Sequence, residues 1–593
     1  MRRRYQPSPI PKIFSQQAQY ENDIGVKIFS FKLHGDGILS LRFRFLIILP
    51  IIYLLVGLFV DNLWRGVDSN SFSVIYGFRN YLEFQGEYFK QAVSTSPAYY
   101  RMLDFGVQFF GKWLDPVIAM RITNAGLILT GTIALYLAIR LVYPPDIASI
   151  SAIATITCLG GLELFHLTTP RVGAFFAVAI SIYGIVLSLR RIYGGVIMGF
   201  GFVLSIMMGG GTLLPTLVAA IIILFFQKDL FETKKVFQIA MILAISMMGI
   251  TLFSFFIFTG RSAIEPNLWL PATNFENYQE WGKSAIRFLW ICMPLWPALI
   301  GFRSFVRKQW TETSTNLLLL GGVGALCAFP LSLFSYDASL IILPFLGLLF
   351  APAIVLLNLH WQRGTYWFNF LFFTIIILIV FIVRLIWAFS DHQGEIIEYF
   401  SNSQFPNFDP SLSIITLLLA ILILVVWFGW NLFGKQYFSW TLRPTLSWII
   451  GIICFWILMI ILWQPAVNHN KSFKPIIMEI NHIVSNDCID ITNTPLAFRV
   501  NWLYLTNKRL ISPNNSCKYQ LIQEGQISGQ SILISDEVAE KNTVKTNNNQ
   551  DENQIQLANE KLPTNNQEYW LVVKSFSRPA ERSEKLILFK KFN

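Results

Sequence analysis

Charge is scarce in this chain: only 14% of its 593 residues are Asp, Glu, Lys or Arg, while 54% are hydrophobic. That balance excludes a disordered chain and a single soluble globular domain. Histidine and cysteine are scarce too, at six each. The histidines are scattered, and no HExxH, CxxC or Walker spacing occurs, so a metalloprotease, a zinc site and an ATP-driven pump have no local support. No internal repeat is visible, and the paired broken segments that mark many transporters are not evident. The formal charge of +11 does not by itself imply nucleic acid; in an apolar chain it raises the question of which side of a bilayer the cations occupy.

What the sequence has in abundance is apolar runs of the length needed to cross a hydrocarbon core of about 30 Å. The first, Phe45 to Val60, comes after a tail (1–44) carrying Arg2, Arg3, Arg4, Lys12, Lys27, Lys32, Arg42 and Arg44. That tail belongs in the cytoplasm and is too long and too weakly apolar for a signal peptide. Further spans are expected at Val117 to Ala138, Ile147 to Leu162, Val172 to Leu189, Val196 to Met208, Leu213 to Phe226 and Val236 to Phe258. The remainder are Ile286 to Phe302, Leu317 to Phe334, Leu340 to Leu357, Trp367 to Phe389, Leu412 to Phe433 and Leu446 to Trp463.

Thirteen spans starting inside place Arg140, Arg190/Arg191, Lys228/Lys234/Lys235, Arg303/Arg307/Lys308, Arg363 and Lys435/Arg443 in the cytoplasm. The opposite connectors, near Gly209, Glu265 to Glu280, Asp337 and Asp391 to Asp409, are acidic or small. The expected fold is therefore an all-α polytopic membrane bundle (45–463) with a large external loop (61–116). An odd number of spans exports the C-terminal residues, which read as a small α/β domain (464–593). Its strand-like runs are Cys488 to Thr492, Tyr519 to Ile522, Ser531 to Ser535, Tyr569 to Lys574 and Lys585 to Lys590, and an Asn/Gln-rich insert (541–567) interrupts it.

Cys158, Cys292, Cys327 and Cys454 lie in spans, where a thiol is ordinary packing. Cys488 and Cys517 lie in the exported domain, in a compartment where disulfides persist. They are expected to bridge, at about 3.5 kcal/mol if unstrained. The long loop is the unusual feature, since long ordered loops are often functional. Phe72, Ile75, Tyr76, Arg79, Leu82 and Phe89 have near-helical spacing, suited to one or two amphipathic helices in the external headgroup plane, or else to a loop that merely covers the bundle.

One span, a loop with an acidic residue at its start (Val67-Asp68-Ser69-Asn70-Ser71), Ser94-Thr95-Ser96-Pro97-Ala98-Tyr99-Tyr100, Gly111 and the Arg121 region succeed one another in an order that resembles the polyprenyl-phosphate-dependent GT-C glycosyltransferases. The subgroup is that of the aminoarabinose transferases and protein O-mannosyltransferases. Met293-Pro294-Leu295-Trp296, Ser335 to Pro344 and Pro465 to Ser472 continue the likeness. Several family positions are changed. Ser69, Ser71 and Phe72 replace an acidic residue and Arg-Tyr, Thr95-Ser96-Pro97 replaces Lys-Pro-Pro, Thr169-Pro170-Arg171-Val172-Gly173 keeps only the Arg, and Met208-Gly209-Gly210-Gly211 replaces Thr-Lys-Gly-Pro.

The resemblance implies transfer of a sugar from an undecaprenyl-phosphate-type carrier to an envelope lipid, glycan or protein hydroxyl, on the external face of a bacterial inner membrane. Asp68 would be base or acceptor orienter, with a helix-capping role as its plain alternative. Arg171, Arg287 and Arg384, near external span ends, would hold phosphate, or else pair and snorkel. Tyr99 and Tyr100 would line the sugar or lipid entrance. The partners are then the polyprenyl-phosphate donor, the acceptor and membrane lipids, without nucleic acid. No cofactor is required by the pattern, and a divalent metal is left open because Asp68, Glu83, Glu87 and Asp104 form no recognisable ligand spacing. Two other readings fit: a catalytically silent relative that binds carrier lipid or scaffolds an envelope complex, and a secondary transporter or lipid flippase.

Overall fold

The computed structural model describes most of residues 41–592. Outside the described residues fall chiefly 1–40, 260–285, 296–311, 390–404, 507–516, 525–531 and 534–568, and with them most of the N-terminal tail, most of the expected span Ile286 to Phe302, Arg287 and the 541–567 insert. The first half contains α1 (Leu41–Leu55), α2 (Gly66–Phe78), α3 (Glu87–Thr95), α4 (Pro97–Phe110), α5 (Pro116–Arg140), α6 (Pro145–Ile156), the single turn α7 (Gly161–Leu164), α8 (Pro170–Ser188), α9 (Gly194–Met207), α10 (Leu213–Phe226) and α11 (Phe231–Thr259). The second half contains α12 (Glu312–Phe334), α13 (Ser339–Leu356), α14 (Leu359–Phe389), α15 (Ile414–Phe433), α16 (Arg443–Lys471), α17 (Lys474–Val484) and α18 (Leu496–Thr506).

Each expected span among the described residues overlaps a helix, so the apolar runs form the bundle. Among these residues α5, α8, α11, α14, α15 and α16 contain segments long and apolar enough to cross a membrane. The protein is an integral membrane protein.

Proline sets many helix starts, because its missing N–H is no loss there and its φ is already helical. Pro97, Pro116, Pro145 and Pro170 open α4, α5, α6 and α8. Asp115 and Thr169 cap two of these helices by accepting from the N–H of Val117 and of Arg171.

The structure departs from expectation in three places. The run Ile147 to Leu162 is not one helix. It breaks after Ile156, and α6, buried from Ile147 to Ile156, is about 18 Å long at 1.5 Å per residue, too short to cross alone. Second, α16 continues through Pro465 to Lys471, past the boundary at 464. Third, Phe72 and Ile75 lie in the core rather than in a headgroup plane. The outward aromatic stripe is instead on α4 and the turn after it, where Phe105 and Trp113 are 69% and 70% exposed and Phe109 lies between them.

The C-terminal unit packs α17 and α18 with a five-stranded sheet of β1 (Ile489–Asp490), β2 (Tyr519–Gln523), β3 (Ile532–Leu533), β4 (Tyr569–Arg578) and β5 (Glu581–Phe592). Each strand overlaps one of the strand-like runs. The order is β1-β2-β5-β4-β3, with β1–β2 and β3–β4 parallel and the other pairs antiparallel. Cys488 and Cys517 precede β1 and the register-paired β2, and stand disulfide-bonded with Cα atoms 4.9 Å apart.

Candidate active site

Asp68 sits in the first turn of α2 and is 1% exposed. Its carboxylate does not cap its own helix. Oδ2 accepts from Nη2 of Arg121 on α5 at 3.1 Å. Oδ1 accepts from the backbone N–H of Thr168 at 3.0 Å and from its hydroxyl at 2.7 Å. Arg121 is itself only 6% exposed. A buried charge is tolerated only when paired and hydrogen-bonded, and these three donors from two distant segments supply that.

The same two segments are tied by neutral bonds. Ser71 donates to the carbonyl of Thr168 at 2.6 Å, and Asn124 of α5 donates to the carbonyl of Leu167 at 3.0 Å. Tyr99 of α4 donates to Asn124 Oδ1 at 2.9 Å, and Ser96 donates to the carbonyl of Met208 at 3.3 Å. A Cβ on Gly173 would stand 2.6 Å from Met208 Sδ and 2.9 Å from the Tyr99 ring, so only glycine permits this approach. Gly209 has φ +124°, which also favours glycine. Four stretches far apart in sequence, 68–71, 96–100, 167–173 and 208–209, therefore meet at one place. Of these, 68–71 and 96–100 carry the family resemblance, while 169–173 and 208–209 fall where the family pattern is changed.

The arrangement also fixes the ends of the bundle. Asp115 and Arg121 mark one end of α5 and Arg140 the other, about 37 Å away at 1.5 Å per residue. Broken or not, the chain from Pro145 to Thr168 travels from the Arg140 end back to the Asp68 end. Helix α8 then returns to Arg190 and Arg191, and α9 climbs to Met208 beside Ser96.

Tyr99 and Tyr100, expected at an entrance, are 0% and 3% exposed, with the Tyr99 hydroxyl turned to Asn124. Tyr100 shares hydrogen bonds with Ser71 and with the more exposed Tyr88. Burial, above all, pushes both phenols up from their ordinary range, so they remain neutral hydroxyls.

Arg171 stands half-buried in the first turn of α8, three residues beyond Thr168, and so belongs to this end of the bundle. Arg384 does not join it. Its guanidinium donates to the carbonyls of Leu462 at 3.0 Å and Pro410 at 2.7 Å, stands over Trp387, and is 2% exposed. It ties α14 to α16 and to the start of α15, and the geometry does not assign it to a phosphate. Arg287 lies outside the described residues. Sequence reasoning missed Arg121, Asn124 and Thr168 as partners. The signal for the first two was present, since an Arg and an Asn within an apolar span need polar company. Among the described residues, no group of three His, Cys, Asp or Glu is placed to hold a metal.

This architecture, a polytopic helical bundle with a small C-terminal sheet unit, is a fold shared with solved structures. Two solved structures similar to it are of ArnT from Cupriavidus metallidurans. The one bound to undecaprenyl phosphate is 9% identical, with a TM-score of 0.58 over 92% of this chain and 97% of that one. The apo form is 10% identical, with a TM-score of 0.56 over the same shares. No protein-family profile and no curated protein matches the sequence.

Proposed function

We propose that this chain is a glycosyltransferase of the bacterial inner membrane. It takes a sugar from an undecaprenyl-phosphate-type carrier and transfers it to an envelope lipid, glycan or protein hydroxyl on the external face. The observation that carries the reading is the buried Asp68–Arg121–Thr168 cluster, formed where the resemblance stretches converge, in a fold shared with an ArnT structure bound to undecaprenyl phosphate.

A carboxylate has about four lone-pair positions. Three are occupied here, and Oδ2 retains one beside Arg121. In the proposed step the acceptor oxygen attacks the anomeric carbon and its proton passes to Asp68. The bond from that carbon to the phosphate oxygen breaks, and the carrier phosphate leaves with the electron pair. Single displacement inverts the configuration at the sugar. Arg121 and Thr168 orient the carboxylate, while Arg171, with Arg287 as its expected companion, holds the phosphate through guanidinium hydrogen bonds.

A second reading has its own support. Both Asp68 oxygens are already engaged, and uncharged Thr95, Ser96, Met208 and Gly209 stand in stretches where the family carries cations. A silent relative that only binds carrier lipid would show these features. Mass spectrometry of envelope lipids and glycans, with and without the gene, separates the two. The enzyme reading expects one glycosylated species to vanish on deletion and to stay absent with Asp68→Asn, whose rate should fall about 10²-fold or more. Undecaprenyl phosphate should still bind that variant in native mass spectra. An unchanged envelope profile on deletion would remove the transferase reading.

A further inference from the structure

The two helices that carry the buried ion pair are both held by one face of a helix some 430 residues later. In α18, Asn501 and Tyr504 are three positions apart and so share a face. Asn501, 3% exposed, donates from Nδ2 to the carbonyl of Leu63 at 3.0 Å and approaches the hydroxyl of Ser69 at 3.5 Å. Ser69 also donates to the Leu63 carbonyl at 2.8 Å and is the neighbour of Asp68. Tyr504 donates to Asp115 Oδ2 at 2.7 Å and sets its ring edge against Phe72, with centroids 6.0 Å apart. The other oxygen of Asp115 caps α5 by accepting from the Val117 N–H at 2.8 Å. Asn501 thus grips the start of α2, and Tyr504 grips both α2 and the start of α5.

We propose that α18 is a clip that sets the spacing between α2 and α5, and that Asn501 and Tyr504 are positioning residues for transfer at Asp68. The inference rests on the transferase reading for its catalytic consequence. A hydrogen bond between Asp68 and Arg121 tolerates displacement of only a few tenths of an ångström before it weakens. Through Ser71 and Asn124 each helix is tied to the loop before α8, whereas α18 reaches both helix starts from a single face. A clip from the C-terminal unit makes the geometry of the site depend on that unit being seated.

The test uses the full-length protein in nanodiscs. The first measurement needs no activity: a thermal double-mutant cycle of Tyr504→Phe, which removes one hydroxyl, with Asp68→Asn. The clip expects Tyr504→Phe to lower Tm in the parent and to do so by less than half as much in the Asp68→Asn background, because residues in one network are not additive. Equal shifts in both backgrounds would overturn it. The second measurement is turnover of the envelope product identified for wild type. Tyr504→Phe should lower kcat about tenfold with KM for the carrier within twofold. Asp115→Asn, whose amide oxygen can keep the helix cap while its NH2 donates to the Tyr504 hydroxyl in place of the lost acceptor, should retain wild-type kcat within about twofold, whereas Asp115→Ala should not. Wild-type kcat in Tyr504→Phe would also overturn the clip. If wild type itself transfers nothing, the transferase reading falls, while the thermal cycle still decides whether α18 holds the pair.

Discussion

Two buried charges in this protein are satisfied in opposite ways, and the difference sets their chemistry. Asp68 is met by a cation and by the two donors of Thr168, all brought from other elements. Arg384 is hydrogen-bonded to two carbonyls and stands over an indole face, with the Asp409 carboxylate nearby. Removing Arg121 would strand a buried carboxylate, a loss of about 3–5 kcal/mol for pairs of this kind. Removing Arg384 forfeits charge-assisted hydrogen bonds worth about 1.5–3 kcal/mol each before relaxation. Arg384→Met, which keeps an apolar stem against Trp387, is therefore expected to lower the thermal midpoint clearly while leaving the dissociation constant for undecaprenyl phosphate within about twofold. Native mass spectrometry with a carrier titration checks the second part. A tenfold weaker affinity at unchanged stability would return Arg384 to the phosphate site.

At the level of elements, the site depends on how closely α4, α8 and the loop after α9 approach. Gly173 permits that approach, and a methyl group there meets the Met208 sulfur and the Tyr99 ring. Gly173→Ala should cost about 1–3 kcal/mol as overpacking, and Met208→Ala in the same chain should recover part of it by vacating one of the two contacts. Thermal unfolding of the single and double variants checks this, and no recovery would mean that Tyr99 alone sets the limit. Much of this level was legible in the sequence. Hydropathy located the span helices because burial in lipid demands long apolar runs, and strand propensity located all five strands of the C-terminal sheet. The break after Ile156 was not legible, because an apolar run reads the same whether it is one helix or a helix, a break and a turn. Asp68 was legible as a residue of interest, but its partners were not. Arg121 and Thr168 are 53 and 100 positions away, and only the packing of α2, α5 and the loop before α8 brings them together. The resemblance implies an entrance role for Tyr99 and Tyr100, and the inward direction of their hydroxyls, toward Asn124 and Ser71, depends on packing that no local pattern shows.

For the whole molecule, the bundle has two chemically different ends. Arg140, Arg190 and Arg191 lie at the end away from Asp68, while Asp115, Thr168 and the loop at Gly209 lie with the site. The contacts of α18 with Leu63 and Asp115 put the C-terminal unit at the site end as well. Cations near span ends favour the cytoplasmic side, so the basic end is expected inside, and the site and C-terminal unit outside. This agrees with the oxidised Cys488–Cys517 pair, since disulfides persist outside the cytoplasm. Alkaline phosphatase fused after Asn593 should accordingly be active, and a fluorescent reporter that matures only in the cytoplasm should be dark at the same position. A fusion in the Arg190/Arg191 connector should give the reverse pattern. Because the fold places these two ends on opposite sides of the same helices, the two fusions must disagree with each other. If the C-terminal fusion alone reported cytoplasm, the site would face the cytoplasm with it, and a carrier-dependent transfer on the external face would be ruled out whatever chemistry Asp68 performs.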